Sequence, residues 1–457
     1  QIDLSYLDDD KANDSRWFQK WTHQANFGSS IDADIVWRDV SDATFFDDFE
    51  LLGDTTDDVD HLERHVTVNH DASAWQTSLL LQDYKTADSS FRIASRPYRR
   101  LPRLTVDSRF RAFDNGFQLN SQNEWVRFDH ESDAKVTGRR THLLPYLSWE
   151  QSASWFFFKP KLEYALTDYQ LDNNNSGANS IQRDIPVFSL DTGLIFDRDM
   201  SSGENWTQTL EPRLYFLRTP FEDQSNIPVF DSAVLSESYE NFFKSNRFSG
   251  NDRIGDANQV ALGIGSRVFD NDSGAELLYA RIGQVFYADD RRVSLGGSTE
   301  TSNKSNIIAQ TTINPTTSLS IKNKLVYEPI TKEFTQRELS INYHHSRFVA
   351  NLEYFFNDTI LEQAALSAVY PINERWTLLA KYHESILFDK PVENLFGLNY
   401  ESCCWGIKIL ASQTSNDTFT ETDNAVFFEL TLKGLGQAGQ ALDSRLQSAI
   451  PGYQPNF

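Results

Sequence analysis

The sequence predicts an all-β chain that forms a large antiparallel transmembrane β-barrel, and three observations predict it. Apolar and polar residues alternate in segments throughout the chain. The alternating runs reach the roughly 9–11 residues that a tilted strand needs to cross a bilayer, whereas strands of soluble sandwiches usually have only about 5–6. Aromatic residues stand at or near the ends of the apolar stripes, as in the interfacial girdles of membrane barrels.

The alternation is clearest at 206–216, 348–356, 376–383 and 426–432. The apolar positions include Trp206, Leu210, Leu214, Phe216, Phe348, Ala350, Leu352, Tyr354, Phe356, Trp376, Leu378, Ala380, Tyr382, Val426, Phe428, Leu430 and Leu432. Successive side chains point to opposite faces of a strand, so each segment is predicted to have one apolar and one polar face. The strand near 424–434 is expected to be the last one, at the seam where the barrel closes.

Two prolines fall inside predicted strands. Pro145 lies within 143–147 and Pro212 within 210–214. Proline has no backbone N–H and removes one hydrogen bond of the ladder. Both strands are therefore predicted to carry a bulge or a locally weak pairing.

Short and long connections alternate along the chain. Tight turns are predicted at 114–116, 271–274, 314–316 and 373–374, and long polar connections at 168–190, 218–258, 287–305 and 411–424. Outer-membrane barrels have short periplasmic turns and long external loops. At about 20 residues per strand with its share of connections, the chain holds on the order of twenty or more strands, and the lumen is expected to be too wide for side chains to fill. We expect residues 1–457 to form one domain.

Composition and motifs exclude several classes of function. The net charge of -23 argues against a nucleic-acid partner. The sequence has no G-x-S-x-G, Walker, H-E-x-x-H or zinc-type cysteine motif, so we predict neither an enzyme nor a cofactor or metal. His61 and His65 share one face but have no further ligand cluster. The acidic runs 8–10 and 54–60 lack the ligand spacing of a calcium loop and are interpreted as solvated loops.

Two adjacent cysteines, Cys403 and Cys404, are the only ones in the chain. Cα atoms about 3.8 Å apart are too close for an ordinary disulfide between neighbours. Either both are free or both have partners elsewhere. An oxidising compartment is a poor place for two free thiols, so we expect their partners in an N-terminal region missing from this chain.

The start of the chain supports the same expectation. It begins at Gln1 without a charged and apolar leader, so any signal peptide has been removed or lies upstream. Residues 2–6 are already strand-like. An open barrel edge in a membrane would leave backbone groups unpaired, which indicates that further strands precede it.

Several segments resemble the LptD family of lipopolysaccharide-assembly proteins. They are Val40-Ser41-Asp42 with Phe46 and Asp48-Phe49, Gln208 to Arg213, Asn246-Arg247-Phe248-Ser249-Gly250 with Asp252-Arg253, Ala257 to Val260, and Tyr400 to Cys404. The similarity covers essentially the whole chain. The Arg-Phe-Ser-Gly-x-Asp-Arg stretch and the adjacent cysteines are its most specific parts.

The resemblance implies an outer-membrane barrel that follows a periplasmic jellyroll and holds a lipoprotein plug, LptE, in its lumen. Together they would receive lipopolysaccharide from a periplasmic bridge and place it in the outer leaflet through a lateral opening between the first and last strands. The family's cysteine pair matches Cys403 and Cys404 and bonds to two cysteines of the N-terminal part. That part, the jellyroll and the first barrel strands are expected to be missing here.

The long connection 218–258 is rich in Phe and Tyr and too apolar for a spacer. We hypothesise that it folds over or into the lumen and that its motif, 246–253, contacts the plug. The alternative function is a passive porin or a TonB-dependent receptor, against which the adjacent cysteines and the lack of a plug-type domain speak. An outer-membrane hydrolase would need a Ser/His constellation that the sequence lacks.

Overall fold

The computed structural model describes residues 1–9, 14–48, 60–88, 91–110, 116–174, 177–200, 205–358, 360–415, 419, 422–439 and 442–455. Strands β1 to β13 are, in order, Ile2–Asp9, Asp14–Phe27, Ile31–Val40, His61–Asp71, Trp75–Thr86, Arg99–Phe110, Phe117–Asp129, Thr137–Trp149, Gln151–Ala153, Phe156–Asp172, Ser180–Leu194, Phe196–Met200 and Trp206–Thr219. Strands β14 to β26 are Ala257–Asp270, Glu276–Tyr287, Ile307–Thr316, Leu319–Glu328, Glu333–His345, Phe348–Asn357, Leu361–Pro371, Trp376–Ser385, Lys390–Pro391, Glu393–Glu401, Trp405–Ser415, Thr422–Leu432 and Gly436–Gly439. The helices are α1, Phe45–Asp48, and α2, Leu442–Ala449, with 3-10 turns at Ile93–Ser95 and Glu240–Phe243.

In the described part of the chain, these strands form one antiparallel sheet of 26 strands, which confirms the predicted all-β class and the expected size. Neighbours in sequence pair with each other. Three long strands are divided, so that β8 and β9 share the partner β10, β11 and β12 share β13, and β22 and β23 share β21. Among the described residues no pairing joins β1 to β26. Within the same ranges no helix is both long and apolar enough to cross a membrane.

The two faces of the sheet differ as the alternation predicts. On β10, Leu162 and Tyr164 are exposed, whereas Ala165, Thr167 and Tyr169 on the opposite face are buried. We call these the outer and inner faces. Large apolar side chains on the outer face remain exposed throughout, while buried arginine, glutamate and asparagine side chains lie on the inner face. An exposed apolar surface opposite a polar interior is the pattern of a barrel in lipid.

Short and long connections lie at opposite ends of the strands. Residues 271–274 and 373–374 form short turns as predicted, and 220–256 and 288–306 are long connections at the other end. The turn predicted at 314–316 is wrong, because β16 continues to Thr316 through a register shift after Ile313. Asp114, Asn115 and residues 54–59 lie outside the described residues.

Two segments cover the inner face. The long loop, residues 220–256, packs its aromatic side chains against β7, β10, β11 and β13–β17. The C-terminal segment, residues 442–455, packs α2 and the turn after it against β19–β21 and β23–β25. Their apolar side chains are buried there with those of the inner face.

The strand that carries Val426, Phe428, Leu430 and Leu432 is not the last one, so that prediction is wrong. It is β25, and the short β26 pairs with it from Glu429 to Leu432. The turn between them uses Gly434 and Gly436 at φ +82° and +140°, conformations that favour glycine. A Cβ on Gly439 would overlap the carbonyl oxygen of Phe428, so only glycine fits this close approach. The glycine-rich sequence after β25 permits this hairpin, but the sequence analysis did not predict it.

Candidate functional site

The aromatic part of the long loop is seated on the inner face of β10–β17. Tyr239, Phe242 and Phe243 surround its 3-10 turn and are buried. Two arginines of the inner face of the sheet, which we call the wall, cover these rings. The guanidinium of Arg213 lies 4.0 Å from the ring centroid of Phe243, and that of Arg281 lies 4.6 Å from Tyr239. Arg281 also forms an ion pair with Glu240 on the loop.

Two glycines make room for Tyr239. Gly263 on β14 and Gly283 on β15 are direct partners in the ladder. A Cβ on Gly263 would overlap the Tyr239 hydroxyl, and one on Gly283 would lie 3.0 Å from the ring. Paired glycines therefore form a depression in the wall that receives one side chain of the loop.

The predicted motif folds back on itself beside the wall. Asn246 donates from Nδ2 to the carbonyl of Arg253 at 2.8 Å, and its Oδ1 accepts from the N–H of Gly255 at 3.0 Å. Phe248 is buried, and Ser249 exchanges hydrogen bonds with Ala233 on the opposite strand of the loop. These contacts lie within the long loop, so the loop itself fixes the shape of the motif.

Gly250 and the two arginines of the motif complete the shape. Gly250 has φ +64°, and a Cβ there would lie 2.7 Å from the carbonyl of Asp231. Arg247 donates to the Asp256 carboxylate at 3.1 Å and to the carbonyl of Val293 at 2.6 Å. Arg253 donates to the carbonyl of Ser294 at 3.0 Å. The motif thus ties the long loop to the neighbouring connection, 288–306.

Arg140 of β8 anchors the loop to the wall. Its guanidinium is fully buried and contacts three carboxylates: Glu124 on β7 at 2.7 Å, Asp231 at 2.8 Å and Asp252 at 2.5 Å. Asp252 is itself fully buried and accepts from the N–H groups of Phe230 and Asp231. One inner-face cation therefore fixes two separate parts of the loop.

Arg183 of β11 makes the second attachment. It donates to the carbonyls of Asn251 at 2.7 Å and Asp252 at 2.9 Å, and to the side-chain oxygen of Gln224 at 2.9 Å. Tyr169 of β10 also donates to the Asn251 carbonyl. These bonds satisfy backbone carbonyl groups of the loop that have no partner within the sheet ladder.

Charge and burial act against each other on the loop carboxylates. Burial raises the pKa of Asp231, but hydrogen bonds and charge from Arg140 more than offset it and leave that pKa below its usual value. Burial likewise raises the pKa of Asp256, and the N–H groups of Arg292 and Val293 with Arg247 lower it further than burial raises it. Both side chains are carboxylates near neutral pH, as their arginine partners require.

The C-terminal segment is held by a second polar cluster. Lys408 on β24 contacts Glu429 on β25 at 3.1 Å and Asp443 of α2 at 2.5 Å. The free oxygen of Glu429 accepts from the N–H of Leu442 at 2.6 Å, and Tyr453 donates to Asp443 at 2.7 Å. Around this cluster, Leu442, Leu446, Ala449 and Ile450 are buried on the inner face.

Between the two covering segments, a polar part of the inner face stays open. A groove of about 430 Å³ crosses β15–β19. Its inward side chains include Gln310, Lys322, Lys324, Glu338 and Glu353. Lys324 contacts Glu338 at 3.1 Å, so the groove carries both charges rather than one sign.

The ladder is interrupted at both predicted prolines. Pro145 keeps its partner Ser121 on β7, but the pairing of β8 with β10 skips from Tyr146 to Leu143. Opposite Pro212, the partner strand is divided into β11 and β12. The missing N–H accounts for both interruptions.

The cysteines and the first motif lie near the ends of strands. Cys403 and Cys404 are exposed in the short turn between β23 and β24, with free sulfurs 2.7 Å apart. The hydrogen bond and charge of Cys403 raise the pKa of the Cys404 thiol. In the first motif, burial raises the pKa of Asp42, but hydrogen bonds from Arg16, Ser41 and Thr44 lower it to about 2. Phe49 of that motif lies outside the described residues.

Sequence reasoning missed Arg140, Arg183 and the C-terminal segment. Arg140 and Arg183 occupy inward positions within long alternating strands, where a charged side chain needs a partner. Their positions could have marked them as anchors, although not which carboxylates they bind. In the C-terminal segment, Leu442, Leu446, Ala449 and Ile450 follow helical spacing, a pattern that could have indicated α2.

Comparisons with known proteins agree on one family. Residues 14–376 match the family described as LptD, LPS transport system D. The chain is 34% identical over 425 residues to the LPS-assembly protein LptD of Nitrosococcus oceani, covering 92% of this chain and 57% of that protein. It is 33% identical over 460 residues to that of Thiobacillus denitrificans, covering 99% and 62%. The chain thus spans about three fifths of the length of these relatives.

One solved structure illustrates a distant likeness in fold. The siderophore receptor PirA from Acinetobacter baumannii is 7% identical, with a TM-score of 0.38 over 95% of this chain and 74% of that one. A score this low carries no argument about function.

Proposed function

Because this chain belongs to the LptD family, LPS transport system D, we propose that it is the barrel of an outer-membrane translocon that moves lipopolysaccharide into the outer leaflet. One observation carries the proposal: the sheet is apolar outside and polar inside, with an open inner groove between two covering segments. Lipopolysaccharide has sugars and acyl chains, so its route needs a polar passage beside an apolar exit. No bond is made or broken in this step.

The sugar route in this proposal follows the open groove across β15–β19. Lys322 and Lys324 supply donors and positive charge, and Glu338 and Gln310 supply acceptors. Mixed polar groups suit a phosphorylated oligosaccharide that must bind weakly enough to move on. The long loop and the C-terminal segment would form the two sides of this passage.

A lipoprotein plug is the proposed occupant of the remaining lumen. Most of the 246–253 motif faces the wall and its own loop, so it supports the loop rather than offering a free surface. The apolar side chain of Val234, on the strand of the loop that pairs with the motif, is 62% exposed. We therefore place the plug contact on the Val234 side of the loop and not on Asp252 or Arg253.

The exit is proposed at the C-terminal edge of the sheet. Among the described residues, β26 pairs with β25 only over 429–432, which leaves 422–428 paired on one side. Val426 and Phe428 of this stretch are exposed on the outer face. A short, glycine-rich last strand would be easier to separate from its neighbour than a full-length one.

The first test is depletion of the full-length protein in its host. We expect newly made lipopolysaccharide to stop reaching the cell surface and to accumulate inside. Lys322→Glu and Lys324→Glu, each made singly, should slow surface delivery, whereas Lys332→Glu, in an exposed turn, serves as the charge-matched control. Continued delivery with changed solute permeability would identify a channel instead.

The plug contact is tested by photo-crosslinking from the loop in the full-length protein. A photoreactive phenylalanine analogue at Val234 should crosslink to the lipoprotein, and the same analogue at outward Leu352 on β19 should not. Replacing a single residue is preferable to the alternative test, deletion of residues 236–252. That deletion would remove Tyr239 and Asp252, whose side chains are buried at the inner face. A barrel that crosslinks equally from both positions, or from neither, contradicts the assignment.

A further inference from the structure

A depression on the outer face of β20–β25 is unlike the inner sites described above. It has a volume of about 530 Å³ and crosses β20, β21, β23 and β24 to the start of β25. Its floor is made by Ala368 and Ala380, which are direct ladder partners, together with Ala411. Tyr382 and Phe396 stand beside it and are about 60% exposed. Small side chains between large ones give a recess with the width of a flexible apolar chain.

Amide side chains follow the external edge of this depression. Asn394 Nδ2 donates to Glu384 at 3.2 Å and lies 3.5 Å from the Gln413 amide oxygen. Gln413 in turn donates to Asn424 at 3.1 Å. The row crosses four strands at the ends near the long connections. Asn424 is exposed. Its amide oxygen accepts the hydrogen bond from Gln413, and its amide nitrogen does not donate to another member of the row.

The position of the row matches the boundary of the membrane. On β21, Trp376 begins the apolar stripe and Glu384 ends it. The eight-residue separation spans about 26 Å along the strand, close to the roughly 25 Å apolar band of outer-membrane barrels. At the opposite boundary, Trp376 packs against Tyr400, and Tyr400 packs against Trp405. A lipid with its acyl chain over the alanines would place its headgroup at the amides.

The chemistry of the row favours a sugar headgroup. Amides both donate and accept, as hydroxyl and amide groups of an acylated sugar do. Towards the corresponding ends of β10 and β11, the outward positions carry two carboxylates, Asp168 and Asp184, which would repel a phosphorylated lipid. The row has one carboxylate, Glu384 at its β21 end, and Asn394 donates a hydrogen bond to it. The uncharged end of the row, Gln413 and Asn424, lies on the strands nearest the C-terminal edge, where the proposed exit delivers its cargo.

We propose that this outer face binds one lipopolysaccharide molecule through its lipid anchor, with an acyl chain over Ala368, Ala380 and Ala411 and its acylated sugar at Gln413 and Asn424. The site deepens the proposed function and rests on it for the identity of the lipid. It receives the lipid after release from the seam and holds it at the depth of the outer leaflet.

The test is lipid titration of the full-length protein with its lipoprotein partner, delipidated in detergent and followed by native mass spectrometry. Purified lipid A and phosphatidylethanolamine are the two probes. We expect one lipid A to be retained more strongly than the phospholipid. Ala380→Trp should fill the recess, and the double change Gln413→Ala with Asn424→Ala should remove the headgroup contacts. Each should lower lipid A affinity by about fivefold or more, the equivalent of one net hydrogen bond.

The matched control is Ala309→Trp, at an alanine of β16 opposite outward-facing Ile282. It should leave lipid A binding unchanged. Equal retention of both lipids, or affinities unaffected by both site variants, would overturn the proposal. Outward substitutions avoid the inner core, and tryptophan fluorescence of each variant checks that it is folded. A site that binds lipid A in a protein whose depletion leaves surface delivery intact would contradict the translocon and not this site.

Discussion

Gly263 and Gly283 lie opposite each other on β14 and β15, and the ring of Tyr239 occupies the space that their missing side chains leave. A loop residue is thus fitted to a pair of positions on two different strands. The contact makes the seating of the long loop sensitive to a single methyl group.

Gly263→Ala should displace Tyr239 and loosen the long loop. Overpacking of this kind costs about 1–3 kcal/mol, and limited proteolysis within 220–256 of the full-length protein should become faster. Gly265→Ala on the same strand is the control, because its Cβ would meet ordinary contacts no closer than 3.6 Å. Equal proteolysis of the two variants would mean that the depression does not hold the loop.

Arg140→Ala should detach the loop more severely. It leaves Glu124, Asp231 and Asp252 as buried carboxylates without their shared cation, and removing one partner of a buried pair costs about 3–5 kcal/mol. Hydrogen exchange across 230–253 should increase. The neighbouring Arg139→Ala changes an exposed outward arginine and should have little effect. Unaltered exchange in the Arg140 variant would contradict its role as an anchor.

Leu446→Ala should release the C-terminal segment from the inner face. Leu446 is fully buried, and a buried Leu→Ala change costs about 2–5 kcal/mol. Carboxypeptidase digestion of the purified protein should then advance through α2. Gln447→Ala, at the exposed position next to it, should digest like the wild type. If carboxypeptidase digests the two variants at the same rate, the C-terminal segment is not held against the inner face by Leu446.

The Arg16–Asp42 contact should stabilise the hairpin of β2 and β3, and only above acidic pH. The pKa of Asp42 is lowered to about 2 in the folded protein from about 3.9 in an unfolded chain. A carboxylate with a lowered pKa contributes stability above its unfolded pKa and loses that contribution as pH falls through the folded value.

The melting temperature of Asp42→Asn should therefore lie below that of the wild type from pH 7 to about 4. The difference should shrink as pH approaches about 2. Asp71→Asn, an exposed change of equal charge on β4, is the control. A difference between wild type and Asp42→Asn that is independent of pH would exclude this carboxylate as its source.

The alternation of apolar and polar residues was enough to predict the all-β class and the outward face of each of the alternating strands. Leu210, Leu352 and Tyr382 are exposed on the outer face as predicted, because strand geometry alone decides which side a residue faces. The prediction failed at the short hairpin that follows β25, where no alternation marks the next strand. Nothing local to Gly436–Gly439 indicates the pairing with β25, since the glycines only permit it.

The candidate site follows the same division. Residues 246–253 could be selected from the sequence, but their contacts with Arg140 and Arg183 depend on which inward positions share a level of the sheet. The groove across β15–β19 also arises only when five strands are side by side. The residue pattern along a single strand does not show which side chains of neighbouring strands lie side by side.

The anchoring of the loop by Arg140 constrains how the protein can be assembled. Arg140 is 91 and 112 residues from its partners Asp231 and Asp252, which makes these contacts slow to form by chain diffusion. The loop packs against the inner face of β7, β10, β11 and β13–β17, so we expect it to be seated there before the surrounding strands have fully assembled. We therefore expect the aromatic loop to act as an internal template around which the strands of the sheet assemble.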